Sequence, residues 1–247
     1  MSDGSESNPL GHVLTKPPRR AFHECDRMHP MTSTPRLDRL TRKPDRGTSN
    51  RARLDALLDD QLVATVSSVV DGQPWMVPLL YARDGDRVLI HGSTGAGLLR
   101  HLAEGAPACL GVFALDGLVV AESTFESSAN YRSAVLRGTF EVLTGRAAHD
   151  ALNILSDKIL PGRTSEVRPS TAKEVAATVA LALPIEEGSW LYKERAGLPG
   201  EPAEEVAPTT WMGVVPFRTV RGPAEPAPWT GPEAPVPDSV RRVIERG

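Results

Sequence analysis

Three Asp-Gly pairs between runs of β-branched and apolar residues constrain the fold of this chain most strongly. They are Asp71-Gly72, Asp84-Gly85 and Asp116-Gly117. Glycine accepts the positive φ that tight hairpin turns require, so each pair predicts a hairpin. The strands predicted around these turns and after them are 61–70, 75–82, 87–91, 107–115, 118–123 and 133–143. Pro78 cannot donate to a strand ladder, so we expect it at an edge or a bulge.

Helical periodicity occurs in short segments between or after these strands. It predicts helices at 49–58, 97–104 and 147–160, and Thr171 with Glu174 forms a capping-box pattern before the apolar run TVALALPI. Because hairpin-length links dominate, the sheet should be antiparallel, and closure into a barrel would remove its exposed edges. The predicted fold class is therefore mainly β with added helices.

The chain divides by composition into three parts. Residues 1–36 are rich in Pro, Ser and charge, which predicts a disordered N-terminal extension. Residues 37–221 form the folded domain, and residues 222–247 read as a Pro-rich C-terminal tail with a short helix after Asp238. Residues 1–54 carry eleven Lys and Arg against six Asp and Glu. This basic arm has no recognisable nucleic-acid motif, so we expect no nucleic-acid partner.

The sequence predicts a cytoplasmic protein without a membrane partner. No apolar run approaches the roughly 18 residues of a membrane span, and the first residues lack the order of a signal peptide. Cys25 and Cys109 lie far apart, which agrees with a reducing compartment. His23, Cys25 and His29 could bind a metal, but no second cluster accompanies them, so no metal site is expected there.

The segment HGSTGAGLLRHL (91–102) is a candidate ligand site because small residues lead into a predicted helix. Backbone N–H groups in such a loop can hold a phosphate. Cationic side chains usually assist, yet Gly97 and Leu98 stand at the loop exit, and the first cation is Arg100. The sequence thus raises the question of whether a phosphate binds here.

Five segments in order resemble the pyridoxamine-phosphate-oxidase-like family of FMN-binding split β-barrels, and more narrowly its flavin-nucleotide-binding branch. The segments are DGQPWMVPLLYARDGDRVLIHGSTG, LDGLVV, NYRSAVLRG, ALPIEEGSW and WMGVVPF. The resemblance covers about residues 36–221. It implies a six-stranded Greek-key split barrel that forms a homodimer, with two FMN sites in the clefts between the subunits.

The resemblance, together with the first cation that follows the loop, also suggests cofactor-binding residues. These are Arg42, Val77, Pro78, Tyr81, His91, Ser93, Thr94, Arg100, Tyr131, Arg132, Ser133 and Trp190. In a haem-binding relative His91 would coordinate the iron, and otherwise no metal is implied. As a histidine at a strand end, it could equally hydrogen-bond its own loop. For the Tyr131-Arg132 pair the alternative is an interfacial ion pair.

Four positions depart from what the resemblance implies. Gly97, Glu122, Glu126 and Leu191 stand where relatives carry Arg, Lys or His. Charge-assisted hydrogen bonds to a phosphate are about twice as strong as neutral ones, so their loss should weaken FMN binding. Glu122 and Glu126 are candidate catalytic acid or base groups, or they recognise a basic substrate; the alternative is a solvated loop.

Three functions are compatible with these features. The leading hypothesis is an FMN-dependent oxidoreductase acting on an unidentified small molecule, in which the flavin carries the redox chemistry. Pyridoxamine phosphate is not the expected substrate, because the C-terminal third lacks an arginine cluster for its phosphate. The first alternative is a repurposed barrel that has lost FMN and binds haem or a cationic small molecule in a biosynthetic reaction. The second is a non-enzymatic flavin-binding or regulatory module.

Overall fold

The computed structural model describes residues 40–246. The predicted extension at 1–36, with His23, Cys25 and His29, lies outside the described residues. No helix within 40–246 has both the length and the apolar character that crossing a membrane would require.

Ten strands and five helices make up the described part of the chain. The strands are β1 (Gly47–Thr48), β2 (Val63–Val70), β3 (Gln73–Asp84), β4 (Arg87–Ser93), β5 (Pro107–Val120), β6 (Ser128–Thr139), β7 (Glu141–Leu143), β8 (Thr178–Pro184), β9 (Trp190–Arg195) and β10 (Gly213–Pro216). The helices are α1 (Arg51–Asp60), α2 (Gly97–Ala103), α3 (Gly145–Ile159), α4 (Ala172–Ala176) and α5 (Asp238–Glu245).

The strands pair antiparallel in the order β1-β9-β6-β5-β2-β3-β4-β8-β7, and β10 pairs with β5. This mainly antiparallel sheet with few helices confirms the predicted fold class. The turn at Asp71-Gly72 has positive φ at both residues, as a two-residue hairpin requires. The following hairpin turns at Gly85, which also has positive φ.

Strand β3 passes from one half of the barrel to the other. Its residues 73–80 pair with β2, whereas 81–84 pair with β4. Pro78 therefore has a ladder partner on one side only within the described residues. This edge position fits a residue that has no N–H to donate.

The hairpin predicted at Asp116-Gly117 is wrong. Strand β5 continues through this pair with a bulge between Leu115 and Gly117. β6 pairs with β5 both before and after the bulge. β10 also returns to pair with residues 117–120, and a Cβ at Gly117 would lie 2.7 Å from the Val215 carbonyl oxygen. The glycine allows close approach of a distant strand, and its φ is not positive.

The barrel interior is filled mainly by aliphatic side chains from the strands and from α1 and α2. Leu54, Leu57 and Leu58 of α1 are fully buried, and Leu98, Leu99 and Leu102 of α2 are nearly so. Helix α1 begins at Arg51 because the Asn50 side chain accepts a hydrogen bond from the Ala52 N–H. α3 covers a second apolar cluster on the outside of β3, β4 and β8.

The predicted C-terminal tail ends in α5, which packs back onto the domain. Ser239 is fully buried, and both its N–H and its hydroxyl donate to the carboxylate of Glu166. Arg242 donates to the Pro161 carbonyl oxygen at 2.9 Å. The two hydrogen bonds from Ser239 lower the pKa of Glu166, and the one from the hydroxyl is the largest cause.

Candidate functional site

Alternation along five strands places one set of side chains on the side of the sheet that faces away from the barrel core. We call this side the outer face. Its members are Val63, Thr65 and Ser67 of β2, Met76, Pro78 and Leu80 of β3, Cys109, Gly111, Phe113 and Leu115 of β5, Tyr131, Ser133, Val135 and Arg137 of β6, and Leu191 and Lys193 of β9. One row pairs in register from Pro78 through Thr65, Gly111 and Val135 to Leu191.

Large apolar side chains on the outer face are unusually exposed. Val63 is 52% exposed, Met76 66% and Phe113 71%. A contiguous apolar surface of this kind marks a place for a partner or a flat ligand. The outer face is therefore the candidate functional site.

His91 lies at the rim of the outer face, in β4 next to Leu80 of β3. It is half-buried, and its Nδ1 atom is buried without a hydrogen-bond partner in the described part of the chain. Burial lowers the pKa of His91 below 6.5, so the neutral imidazole is favoured. A neutral ring with an unpartnered nitrogen can act as a metal ligand or a hydrogen-bond partner for a ligand. The alternative that the sequence left open, a hydrogen bond from His91 to its own loop, is absent among residues 40–246.

The two other histidines within 40–246 have partners. His101 Nε2 lies 3.1 Å from the Val69 carbonyl oxygen, and His149 Nδ1 lies 3.3 Å from the side-chain nitrogen of Asn153. Neither belongs to the outer face. His91 is thus the described histidine whose ring carries a buried nitrogen without a hydrogen-bond partner.

The loop after β4 is held by its own polar groups. Ser93 Oγ accepts from the Gly95 N–H at 3.2 Å, and the Ser93 carbonyl accepts from the Ala96 N–H. The Thr94 N–H donates to the Ala177 carbonyl oxygen. Ser93 and Thr94 are both exposed, so their side chains can contact a ligand that lies beyond His91.

Gly97 is a glycine because Trp75 occupies the neighbouring space. A Cβ on Gly97 would lie 2.6 Å from Cη2 of the Trp75 ring. A lysine or arginine at this position would displace the indole. The departure at position 97 therefore has a local physical cause. Arg100 is exposed on α2, in its C-terminal half.

The β6 residues Tyr131 and Ser133 form a second group on the outer face. The Lys193 ammonium lies 5.6 Å from the centre of the Tyr131 ring, and Ser133 donates to the Lys193 carbonyl oxygen. Both side chains are half-buried. Lys193 thus brings a cation to the position opposite Ser133 in the ladder.

Arg132 points to the other side of β6 from this group. Its guanidinium binds both carboxylate oxygens of Asp116, at 2.8 and 3.0 Å, and Asp60 at 3.1 Å. These two carboxylates hold the pKa of Arg132 above its ordinary value. This ion pair lies within one chain. The pair lines a groove of about 800 Å³ where β2 and β5 separate.

Three predicted cofactor-binding residues face the barrel core. Tyr81 is fully buried and donates from its hydroxyl to the Leu58 carbonyl oxygen at 2.8 Å. Burial is the main cause that raises the Tyr81 pKa. Val77 is half-buried against the same core, and so is Trp190. The placement of these three side chains gives them a structural role and does not bring them together with His91.

The remaining predicted residues lie at the periphery. Arg42 is exposed in the segment before β1. Glu126 is exposed and Glu122 half-buried in the loop between β5 and β6. This loop is held by Ser127, which donates to the Ser123 carbonyl oxygen, and by Ser123, which accepts from the Glu126 N–H. Among residues 40–246, no side chain bonds to either glutamate, and their catalytic role stays a prediction.

The ligand-facing residues thus form two groups on one chain. Pro78, His91, Ser93 and Thr94 lie on β3, β4 and the adjoining loop, whereas Tyr131 and Ser133 lie on β6. β2 and β5 lie between β3 and β6, so Pro78 lies about 14 Å along the sheet from the β6 group at ordinary strand spacing, and the β4 residues lie one strand farther. Within 40–246 no three His, Cys, Asp or Glu residues are close enough to hold a metal ion together.

Sequence reasoning missed Phe113 and Lys193 as members of the outer face. The signal was present, because successive strand residues point to opposite faces. In Val77–Tyr81 this period places Pro78 and Leu80 outside and the other three side chains inside. The exposure of Phe113 could not be predicted from the sequence, because it depends on whether another part of the protein packs over β5.

The fold defines a split-barrel protein, and comparison with known proteins specifies the family. The model of the Pyridoxamine 5'-phosphate oxidase family matches residues 50–190. The chain belongs to this family. Among curated proteins, no sequence matches it.

Two solved structures are similar to most of the chain. The FAD and haem binding protein from Mycobacterium smegmatis is 50% identical, covers 80% of this chain and 96% of its own, and has a TM-score of 0.77. The flavocytochrome Anf3 from Azotobacter vinelandii is 33% identical, with coverage of 82% and 94% and a TM-score of 0.76.

A third structure shares only the fold. It is a Bacteroides thetaiotaomicron protein assigned to 5-nitroimidazole antibiotic resistance, and it is 17% identical. It covers 60% of this chain and 85% of its own, with a TM-score of 0.50.

Proposed function

We propose that the protein is a homodimeric flavin-dependent oxidoreductase that also holds haem, with its cofactors at the outer face between two copies of the chain. The observation that carries the proposal is an exposed apolar outer face bounded by a half-buried His91 whose Nδ1 has no described partner. The similarity to a FAD and haem binding protein and to a flavocytochrome supports the same cofactors.

The residues at this rim fit haem. A neutral imidazole is the form that binds iron, and burial favours that form of His91. Leu80 and Val63, which pair across β3 and β2, offer an apolar surface to a flat macrocycle. His91 would hold the iron, and the neighbouring apolar residues would exclude water.

The same face also fits a flavin. Pro78 and Thr65 form a flat patch beside the β4 loop, where Ser93 and Thr94 present hydroxyl groups. These groups would position the ring and the chain attached to it. Bound flavin supplies hydride or electron transfer and haem supplies one-electron transfer, whereas the protein supplies position and electrostatics. FMN and FAD share the ring, so this patch accepts either.

Two copies of the chain are part of the proposal for a geometric reason. The rim at His91 and the group at Tyr131 and Ser133 lie on opposite sides of β2 and β5. A two-fold axis through the outer face would bring the first group of one chain towards the second group of its partner. Dimerisation would also cover Phe113 and Met76, which are 71% and 66% exposed.

An absorption spectrum of the purified full-length protein tests the proposal, together with identification of any cofactor released on denaturation. We expect flavin bands and a Soret band, or their appearance after incubation with FAD, FMN and haemin. A protein that binds neither flavin nor haemin at micromolar concentration contradicts the proposal.

A haem protein without flavin is the second candidate. The absence of Lys and Arg from positions 93–99 favours it, because a neutral loop holds an FMN phosphate less strongly. A Soret band without flavin binding would select this candidate. A cationic ligand bound near Glu122 and Glu126 would instead be detected by calorimetry with small amines.

A further inference from the structure

Three arginines meet the outer face in the groove of about 800 Å³ where β2 and β5 separate. The lining of this groove includes Val63 and Phe113 of the outer face together with Arg218, Arg221 and Arg246. We call these three arginines the arginine cluster. Arg221 is half-buried, and the other two are exposed. The cluster therefore borders the apolar surface on which the proposed haem would lie.

Segments that are far apart in the chain bring the arginine cluster together. β10 pairs with β5, and the Phe217 N–H continues this pairing by donating to the Asp116 carbonyl oxygen at 2.9 Å. Arg218 and Arg221 follow directly after this anchored strand. Arg246 directly follows α5, which is hydrogen-bonded to the segment after α3. The fold thus holds both segments at one groove.

The carboxylates that line the groove are already paired with another cation. They belong to Asp60 and Asp116, and both bind Arg132. Within residues 40–246, no carboxylate forms an ion pair with a member of the arginine cluster. The lining has four arginines against two aspartates, so it carries more positive than negative charge.

A further cation lies close to the arginine cluster. Lys158 lines an adjoining cavity of about 340 Å³ together with Arg221 and Arg246. Burial is the largest cause that lowers the pKa of Lys158, and the charge of Arg246 contributes to the lowering. Asp59 also lines this cavity, but it binds Arg83. Like charges gathered in this way repel one another, so an anion between them would be stabilising.

The groove lies in line with His91 across the sheet. Leu80 of β3 adjoins His91 of β4 and pairs with Val63 of β2, so two strand spacings, about 10 Å, separate His91 from Val63. A haem whose iron is held by His91 and whose ring lies over Leu80 would extend towards Val63 and the groove. Haem carries two carboxylates on flexible chains at one edge of an otherwise apolar ring. A guanidinium binds a carboxylate through two parallel hydrogen bonds.

We propose that the arginine cluster binds the propionate carboxylates of a haem held at His91 and thereby fixes the orientation of the ring on the outer face. The inference rests on the proposed function, because it requires haem at the outer face. The apolar part of the ring would lie over Leu80 and Val63, and its charged edge would lie in the groove.

Haemin and haemin dimethyl ester, titrated into the full chain stripped of cofactor, test this inference. The ester keeps the iron and the ring but has no free carboxylates. We expect the unsubstituted protein to bind haemin about tenfold more tightly than the ester, which is the scale of one hydrogen bond to a charged group. Arg221→Gln combined with Arg246→Gln should weaken haemin binding about tenfold and leave ester binding unchanged. The Soret band measures each dissociation constant.

Two further variants separate carboxylate recognition from loss of structure. Arg221→Lys keeps the positive charge without the planar fork, so it should retain more of the preference for haemin than Arg221→Gln does. Arg241→Gln removes an exposed arginine of α5 that is outside the groove lining, and it should change neither constant. Thermal melting and molecular mass of each variant confirm that the fold and the dimer are retained.

The results that overturn the inference are distinct from failure of the proposed function. Equal affinity of the unsubstituted protein for haemin and its ester contradicts a carboxylate site. An equal loss of both ligands in the double variant, with a fall in molecular mass, would mean that the arginine cluster contacts the partner chain. Weaker FAD binding with unchanged haemin binding would assign the cluster to the flavin phosphates. If the unsubstituted protein binds no haemin, the proposed haem site itself fails and the inference fails with it.

Discussion

The sheet is covered differently before and after Leu80, a residue of β3. Beyond Leu80, the outward residues Ala82 and Leu89 are fully buried under α3, whose Ala148, Ala151 and Leu155 pack against them. Before Leu80, the outward residues Met76 and Pro78 are exposed. We call these regions the covered half and the bare half of the sheet.

This difference in coverage indicates where the functional site of the molecule lies. In the covered half, small alanines on strand and helix let α3 approach closely, and the packing is complete within one chain. In the bare half, large apolar residues remain at the surface, where exposure brings no stability to a lone chain. His91 lies on the boundary between the two halves. The account predicts that substitutions in the two halves have separable effects.

The largest effect is expected from a charge at the centre of the bare half. Phe113→Asp should abolish the dimer and both cofactors, because a buried carboxylate without a partner costs several kcal/mol at an interface. Light scattering and absorption spectra measure the two losses. Trp229→Asp, which adds a charge to another exposed aromatic position, should change neither. A Phe113→Asp dimer with full cofactor content would show that the bare half is not the interface.

At the boundary we expect a loss confined to one cofactor. His91→Ala should lose the Soret band while it retains flavin, because the substitution removes the proposed iron ligand and leaves Ser93 and Thr94 in place. The matched control is His149→Ala, since His149 lies on α3 in the covered half. Retention of haem by His91→Ala would rule out this histidine as the ligand.

Sequence reasoning predicted the covered half better than the bare half, and the reason is physical. The helical pattern of α3 is a local signal, and this helix occurs close to where it was predicted. The Asp116-Gly117 pair misled because its partner, β10, arrives from about 100 residues away. Local turn propensity is weak against such long-range pairing.

The predictions for individual site residues also differ in how well they agree with the structure. His91 and Ser93 lie at the rim, as a strand-end position suggested. Tyr81 and Arg132 were predicted to bind a cofactor, yet one fills the core and the other is held by Asp116 and Asp60. The contact between Gly97 and Trp75 joins residues 22 positions apart, and no pattern in the sequence indicates it.

A substitution in the covered half should reduce stability alone. Leu155→Ala removes a side chain of α3 that is 1% exposed, and the cavity should lower the free energy of unfolding by about 3 kcal/mol. Chemical denaturation measures this loss. Cofactor content and dimer mass should stay unchanged in folded protein. Loss of flavin at temperatures where the variant remains folded would show that the two halves are coupled.

The smallest effect concerns the bond between Glu166 and Ser239, which attaches α5 near α3. The pKa of Glu166 lies below 4.5, so this attachment contributes its full stability above pH 4.5 and loses it as the pH falls through the lower folded pKa. The NMR shift of the Ser239 amide should follow that transition. Ser239→Ala keeps the N–H donor but removes the hydroxyl donor, so the midpoint should move towards 4.5. A midpoint at or above 4.5 in the unsubstituted protein would contradict the assignment.

The central claim is that two bare halves together form the cofactor site. Flavin release on dilution tests this claim most directly. Flavin fluorescence and molecular mass would be followed as the purified protein is diluted through the dissociation range of the dimer. The account predicts that flavin is released over the same concentration range in which the mass falls to that of one chain. Flavin that stays bound to a single chain after the dimer has dissociated would contradict it.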